Sequence, residues 1–435
     1  MQRLWTYSFM AFVFFGCKKN KDENPPKVEI ETPLANTTVN AGTFIHVTGT
    51  VTDDKKLQTI TIKVLSLSGS TQIADPVTLT PESASYTIDK YVKVGDIHTT
   101  TGTYQVIVEA YDGTNKKKAY KDIQVIEIPR VLEKMIVVRN AGTGFAVDSL
   151  VGSSFFNFIN RTSDFSGAAI SNYYQQLYLT GKTSGVLESW DLETNLPKWT
   201  VPADLPSTTI SLFYLTEYDN NSQTLWQSFT TSAGGTLRTV SAAGNFGTNM
   251  VMQANHYAAA LTYNAQHIIV AENPKISGGS AFLSYYFNTG FGLDQTTTVP
   301  LNSVNNIFIL NSHELVVVGN DGGQGELRVY DKNTNGFWEQ FNLPAGKVYD
   351  AVQVDAENYI IAHETGLLKY THSPGNLINL TTGNKCQLLN LDAYSGILWA
   401  GEGNFVRGYD PATGALGTTY VESDSVKAII MQYNK

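Results

Sequence analysis

The chain is short of cysteine, of charge and of long apolar runs. Only two of its 435 residues are cysteines, Cys17 and Cys386, so at most one disulfide bond can form. Charged residues make up 16% of the chain, and the formal net charge of -9 argues against nucleic acid as a partner. The apolar run at residues 4–15 falls short of the roughly 20 residues that a membrane-spanning helix needs.

The first 16 residues are typical of a secretory signal peptide. Arg3 precedes the apolar run, and the run ends at Gly16 and Cys17. This ending resembles the bacterial lipobox, in which the cysteine is acylated and becomes the mature N-terminus; Phe14 stands where that family prefers Leu. Acylation with more than one chain would hold the protein firmly on a membrane. The alternative is a buried N-terminal helix with an incidental cysteine.

Residues 17–26 form a charged, proline-containing linker. Its Lys21-Asp22-Glu23 segment resembles the export signal that places Bacteroidetes lipoproteins on the outer face of the outer membrane. We therefore expect a lipid-anchored protein of the outer membrane that is exposed at the cell surface. A merely solvated linker is the alternative. If Cys17 is acylated, Cys386 has no disulfide partner, and we expect it to be a buried structural thiol.

Residues 27–128 alternate apolar and polar side chains over about seven short segments, as half-buried strands do. Such a number of strands in about a hundred residues predicts an immunoglobulin-like β-sandwich. The segment resembles the Ig-like and PKD-like modules that follow the anchor in many surface lipoproteins, which implies a spacer. Asp53-Asp54 and Asp112-Gly113 are interpreted as turn residues rather than calcium ligands.

Residues 129–435 read as an array of repeats. An aromatic-Asp pair followed by Thr and a turn residue recurs at Trp190, Tyr330 and Tyr409, and weaker copies occur at Val240, Tyr286 and Tyr370. The spacing of 39 to 50 residues is typical of four-stranded propeller blades. With one blade before them, the repeats predict a seven-bladed β-propeller closed by the C-terminal strand. The hairpin motif resembles that of the quinoprotein-like propeller superfamily in blade construction only.

The loops between the second and third strands of the predicted blades are rich in glycine and polar residues. In propellers these loops surround one mouth of the central channel, and the Asp hairpins lie on the opposite face. We therefore expect a ligand to contact these mouth loops. The candidate binding residues are Lys182, Glu272, Lys275, Asp321, His363, Glu364, Glu402 and Asn404.

No catalytic motif accompanies these candidates. His363-Glu364 lacks the helical His spacing of a zinc protease, and the glycine-rich loops lack the Lys-Ser/Thr of a phosphate loop. We therefore expect no catalytic residues, no metal and no cofactor.

The chain as a whole resembles the Ig-plus-propeller surface lipoproteins of Bacteroidetes, some of which capture nutrients for an outer-membrane transporter. The resemblance implies an all-β protein that binds a small molecule or glycan, with the membrane and a transporter as partners. Two alternatives stay open: a propeller enzyme (hydrolase, lyase or quinoprotein) and an adhesion or protein-protein scaffold.

Overall fold

The computed structural model describes residues 23–68, 71–183, 186–201, 212–220, 222–231 and 234–435. The predicted signal peptide, Cys17 and most of the predicted linker therefore lie outside the described residues. The chain divides into two compact units between Pro129 and Arg130. Within the described part, regular structure consists of strands, and no helix there is long and apolar enough to cross a membrane.

The described part of the first unit forms two sheets. Its strands are β1 Lys27–Thr32, β2 Thr37–Asn40, β3 Phe44–Thr52, β4 Thr59–Ser66, β5 Val77–Leu79, β6 Ser85–Lys93, β7 Gly102–Tyr111 and β8 Lys116–Ile126. One sheet has the order β1-β3-β6 and the other β2-β8-β7-β4-β5. The β2–β8 pair is parallel, and the other pairs are antiparallel.

Both sheets contribute to a single core. Alternate residues of β3 are buried, as are those of β4, and they join one hydrophobic cluster with the buried side of β7. Gly49 in β3 is required by a close approach, because a Cβ at this position would lie 2.1 Å from the carbonyl oxygen of Glu29. The Asp112 carboxylate accepts the backbone N–H groups of Thr114 and Asn115, so it caps a turn.

The second unit is built from four-stranded antiparallel sheets, seven of them within the described residues. Its strands are β9 Leu132–Ala141, β10 Gly144–Val151, β11 Ser154–Arg161, β12 Gly167–Ser171, β13 Gln176–Thr180, β14 Leu187–Asp191, β15 Leu196–Val201, β16 Leu212–Asp219, β17 Thr224–Thr231, β18 Gly234–Val240, β19 Phe246–Val251, β20 His256–Tyr263, β21 His267–Pro274, β22 Ala281–Phe287, β23 Leu293–Val299, β24 Ser303–Ile309, β25 Glu314–Asp321, β26 Gln324–Asp331, β27 Gly336–Asn342, β28 Val348–Gln353, β29 Asn358–His363, β30 Gly366–Thr371, β31 Asn376–Asn379, β32 Leu388–Asp392, β33 Ile397–Glu402, β34 Phe405–Tyr409, β35 Leu416–Val421 and β36 Val426–Tyr433.

These sheets form a closed ring. Six of them use four consecutive strands each, from β12–β15 (blade 2) to β32–β35 (blade 7), and blade 1 has the order β36-β9-β10-β11. The first strands of blades 2 to 7 contact one another in sequence, and β36 contacts both β32 and β12. These seven strands therefore surround one axis as the inner strands of a β-propeller. The last strand of the chain completes the first blade by pairing with β9.

Packing between blades explains the sequence of the strands. In β25 the consecutive residues Leu315, Val316, Val317 and Val318 are all buried. Both faces of this blade are covered, since residues of β25 belong to the core on either side of it. A strand of this kind needs a continuous apolar run rather than alternation.

The Asp hairpins have the local chemistry that the repeat predicts. Asp191 accepts the backbone N–H groups of Glu193 and Thr194, and Asp410 does the same for Ala412 and Thr413. The residue that ends each of the six turns has a positive φ. These residues are Asn195, Gly244, Gly290, Asn335, Gly375 and Gly414.

The closing strand should carry measurable stability. Ile430 in β36 is 6% exposed and belongs to a core shared with blade 2. Replacing Ile430 with Ala should lower the free energy of unfolding by about 2–5 kcal/mol in urea denaturation. The matched control is Lys427→Ala at an exposed position of the same strand, which should cost less than about 0.5 kcal/mol. Equal effects of the two substitutions would contradict closure of the ring by β36.

Candidate functional site

The predicted mouth loops share one face of the propeller. Because neighbouring strands are antiparallel, the loops between the second and third strands end on the same side as the connections from one blade to the next. The Asp hairpins lie at the other ends of these strands. The channel mouth on the first side is therefore bordered by two sets of loops and by the beginnings of the inner strands.

Five inner strands have a bulge near their first residues. In each, the pairing with the second strand shifts by one residue. The extra residues are Tyr214, Ala259, Asn305, Tyr349 and Lys427. Each of them is partly or fully exposed, although the residue just before it is buried. Bulges re-aim a side chain out of the strand's alternation, so these five residues are accessible on the innermost strands of the ring.

An aromatic pair lies at the beginnings of β16 and β20. The rings of Tyr214 and Tyr257 are stacked with centroids 3.6 Å apart and an interplanar angle of 17°. The Lys182 ammonium, from the mouth loop of blade 2, lies 5.9 Å from the Tyr214 ring centroid. A cation beside the face of a phenol ring is an attractive contact. One predicted residue thus joins two tyrosines that the sequence analysis did not single out.

A second lysine and tyrosine meet at the beginning of β28. The Lys385 ammonium lies 4.4 Å from the Tyr349 ring centroid. Tyr349 and the nearby Glu364 carboxylate raise the pKa of Lys385, so this lysine keeps its positive charge at neutral pH. Glu364, a predicted residue, is exposed and also accepts the backbone N–H of Lys347.

Two asparagines on second strands connect their blade to the inner strand of the next blade. The Asn273 side chain both donates to the carbonyl of Val304 and accepts its N–H. Asn320 makes the same pair of contacts with Val348 in the next blade. Bonds of this kind fix the spacing of the inner strands. The positions of Tyr257 and Tyr349 are therefore set by blade-to-blade contacts.

Three of the predicted binding residues are buried and serve the scaffold. Glu272 is fully buried, accepts from Gln253 N–H and Tyr286 O–H, and has its pKa raised by burial. Glu402 is 6% exposed and is paired with Arg407 and Tyr409.

His363 is also buried, and burial lowers its pKa, an effect that the carbonyls of Gly346 and Pro344 offset in part. Its Nδ1 accepts from Thr365 N–H, so Nε2 carries the proton when the ring is neutral. Nε2 has no partner at hydrogen-bonding geometry among the described residues. Because the imidazole of His363 is buried, a ligand at the mouth does not contact it, which argues against a role in acid-base chemistry there.

The other three predicted residues contact backbone groups or open a turn. Lys275 donates to the carbonyl of Thr231, and burial lowers its pKa. Asn404 donates to the carbonyl of Glu422. Asp321 is exposed and opens the tight turn at Gly322 and Gly323, both of which have positive φ.

The described mouth residues do not assemble a cluster of acid, base or metal-ligand groups. Across the described part of the chain, one group of His, Asp and Glu side chains is close enough to share an ion, namely His313, Glu314 and Asp331. These residues belong to the hairpin ends of blade 5, on the face opposite the mouth. The mouth instead offers ammonium groups, phenol rings and the exposed carboxylates of Asp321 and Glu364, which suit binding.

Comparisons with known proteins add little to this description. No protein-family model matches the chain, and no curated protein matches it either. Among solved structures, similarity is found to hydrazine synthase of Kuenenia stuttgartiensis (10% identity, 62% of this chain and 87% of that chain, TM-score 0.48). It is also found to the computationally designed Ika8 protein (13%, 69% and 91%, TM-score 0.49) and to the WD40 β-propeller domain of Doa1 (9%, 68% and 89%, TM-score 0.49). At these TM-scores and identities the three likenesses carry no argument about function.

The carboxyl groups of two residues on inner strands have raised pKa values. Glu217 and Asp350 keep some accessible area but are enclosed by protein atoms. Burial, with a smaller contribution from Asp219, raises the pKa of Glu217 to about 8. Burial raises the pKa of Asp350 to about 6, against hydrogen bonds that include those from Leu389 N–H and the Asn306 amide. Glu217 therefore holds its proton to a higher pH than an exposed glutamate does.

The raised pKa of Glu217 predicts a pH dependence of stability. Since the folded state binds this proton more tightly than the unfolded state, stability falls as pH rises from about 4.5 to about 8. Glu217→Gln stays neutral, so it should remove up to ~1.4 kcal/mol per pH unit of that decline. Urea unfolding of both proteins at pH 5, 6, 7 and 8 measures the difference. The exposed Glu193→Gln is the control, and parallel profiles for wild type and Glu217→Gln would contradict the burial of this group.

Proposed function

We propose that this protein is a surface-anchored lipoprotein whose propeller binds a ligand at the mouth bordered by Lys182, Tyr214, Tyr257, Tyr349 and Lys385. The observation that carries the proposal is the pairing of a lysine with partly exposed tyrosine rings at two places on the inner strands. Aromatic faces take flat or apolar rings, and ammonium groups take carboxylates or phosphates. The favoured ligand is a small nutrient with both features, delivered to an outer-membrane transporter.

We infer that the first unit is an immunoglobulin-like spacer between anchor and propeller. Two sheets that share one core, with mostly antiparallel pairing, support this inference. The capping of a turn by Asp112 agrees with a structural role for the loops of this unit. The linker and the spacer would separate the propeller from the anchor along the chain.

The anchor is proposed from the sequence of the first residues. Cys17 follows an apolar run and precedes a charged linker, as in acylated lipoproteins. Replacing Cys17 with Ser should abolish incorporation of labelled palmitate in cells and move the protein from the membrane fraction to the soluble fraction. Cys386→Ser, which changes a buried thiol, is the control and should leave both measurements unchanged. Unaltered palmitate labelling of Cys17→Ser would disprove the anchor.

The mouth predicts a ligand class that can be screened. Thermal unfolding of the full-length protein in mild detergent should be measured with haem, corrinoids, neutral and acidic glycans and metal ions. We expect stabilisation by a ring-containing anion such as haem. The double substitution Lys182→Ala/Lys385→Ala should weaken that binding at least ~tenfold, because charge-assisted contacts contribute about 1.5–3 kcal/mol each.

The control for this screen changes two exposed lysines that do not belong to the proposed site. Lys117→Ala/Lys198→Ala alters β8 of the first unit and β15 of the second and should leave the ligand-induced shift intact. An unshifted midpoint for every ligand, or the same loss of binding in the control, would count against the proposed site.

A further inference from the structure

A second cleft lies between blades 3 and 4, at the hairpin ends of their strands. Its volume is about 690 Å³. Blade 3 contributes Asp219, Ser222, Thr224, Trp226 and Thr239. Blade 4 contributes Tyr263, Asn264, Ala265, Ile268, Asn288 and Phe291. The cleft is thus at the opposite ends of the strands from the mouth described above.

Three aromatic rings form one wall of this cleft. The Trp226 ring centroid lies 6.4 Å from that of Tyr263 and 6.2 Å from that of Phe291, the latter at an interplanar angle of 66°. Trp226 itself is 3% exposed and belongs to the core of blades 3 and 4. The wall is rigid, since its central ring is packed on the side away from the cleft.

Two polar groups lie within this aromatic wall. The indole N–H of Trp226 and the hydroxyl of Tyr263 are both buried. Burial raises the pKa of Tyr263, and a side-chain hydrogen bond with Trp226 opposes that shift. The polar atoms of these two side chains therefore face each other, and the wall presents their ring faces to the cleft.

The rim adds a complementary set of amides. The Asn288 amide donates to the carbonyl of Asn264, and the Asn264 side-chain oxygen accepts the N–H groups of Gln266 and His267. This leaves the Asn264 NH₂ group and the Asn288 side-chain oxygen without a partner among the described residues. One is a donor and the other an acceptor, so together they match a pair of hydroxyl groups.

The charge of the lining selects against anions. The described lining residues include the Asp219 carboxylate but no lysine or arginine. Glu217 lies opposite Trp226 in the β16–β17 pair, and burial raises the pKa of its carboxyl group. Burial in this region therefore disfavours a negative charge. An uncharged ligand with several hydroxyl groups and an apolar ring face therefore fits the lining best.

Phe291 is held in an unusual backbone conformation. Its φ is +54°, in the left-handed region that a bulky side chain rarely adopts. Its ring is nevertheless directed onto Trp226. Glycine is the residue that takes this backbone conformation without steric cost, so a large ring here is unusual for a turn alone.

We propose that the cleft between blades 3 and 4 is a binding site for a neutral sugar ring. The apolar face of the sugar stacks on Tyr263 or Phe291, and its hydroxyl groups meet the amides of Asn264 and Asn288 at the rim. The site is separate from the mouth and does not depend on the ligand of the mouth.

Saturation-transfer NMR with the full-length protein in mild detergent tests this site. The probes are glucose, galactose, mannose, xylose and N-acetylglucosamine with their disaccharides, and galacturonate serves as the anionic comparison. We expect contact to at least one neutral sugar, with weaker or no contact to galacturonate. Phe291→Gly should reduce that affinity at least ~tenfold while the protein stays folded, because glycine favours the positive φ.

Two further variants make the result decisive. Phe291→Tyr keeps a ring at the same place and should retain binding. Lys182→Ala/Lys385→Ala changes the mouth and should leave sugar binding unaltered, which separates this proposal from the previous one. Absence of transfer to every neutral sugar would overturn the proposal, as would equal binding by folded Phe291→Gly and wild type.

Discussion

The pairing of β36 with β9 is the interaction on which the propeller depends. It joins residues about 300 positions apart in the 435-residue chain and covers the edge that blade 1 would otherwise expose. The same strand contacts the inner strands of blades 7 and 2, so closure of the blade also closes the ring. The inner strands are then held at fixed spacing by blade-to-blade bonds such as those of Asn273 and Asn320.

A ring closed in this way keeps the buried scaffold residues apart from the candidate binding surfaces. Acidic residues such as Glu272 and Glu402 lie inside blades, where Tyr286 and Arg407 pair with them. The bulged residues of the inner strands stay accessible, among them Tyr214 with its stacked partner. The opposite face has a different character, since the cleft at Trp226 is aromatic and amide-lined and its described lining lacks basic residues. The two surfaces therefore suit ligands of different charge.

The architecture of the second unit could be predicted from sequence because its hairpin turns depend on residues close together in the chain. Asp191 and Asp410 cap hairpins through their own neighbours, and the repeat of that turn predicts the blades. The candidate binding surface could not be predicted as well, because Tyr214 is partly exposed only through a register shift against β17. Likewise the burial of Glu402 depends on Arg407 across a hairpin, and the partner of His363 depends on the turn that follows it. The expected Ig-like sandwich and the anchor at Cys17 stay predictions.

Hydrogen exchange of the backbone amides tests the central claim, closure of the ring by β36, most directly. If β36 is an integral inner strand, its amides that face β9 should exchange as slowly as the hydrogen-bonded amides of β24, the inner strand of another blade. Exchange in both strands should then require global unfolding of the propeller. Fast exchange of β36 while β24 stays protected would show that the last strand detaches independently. That result would contradict an account in which one strand pair fixes the ring and, through it, both candidate binding surfaces.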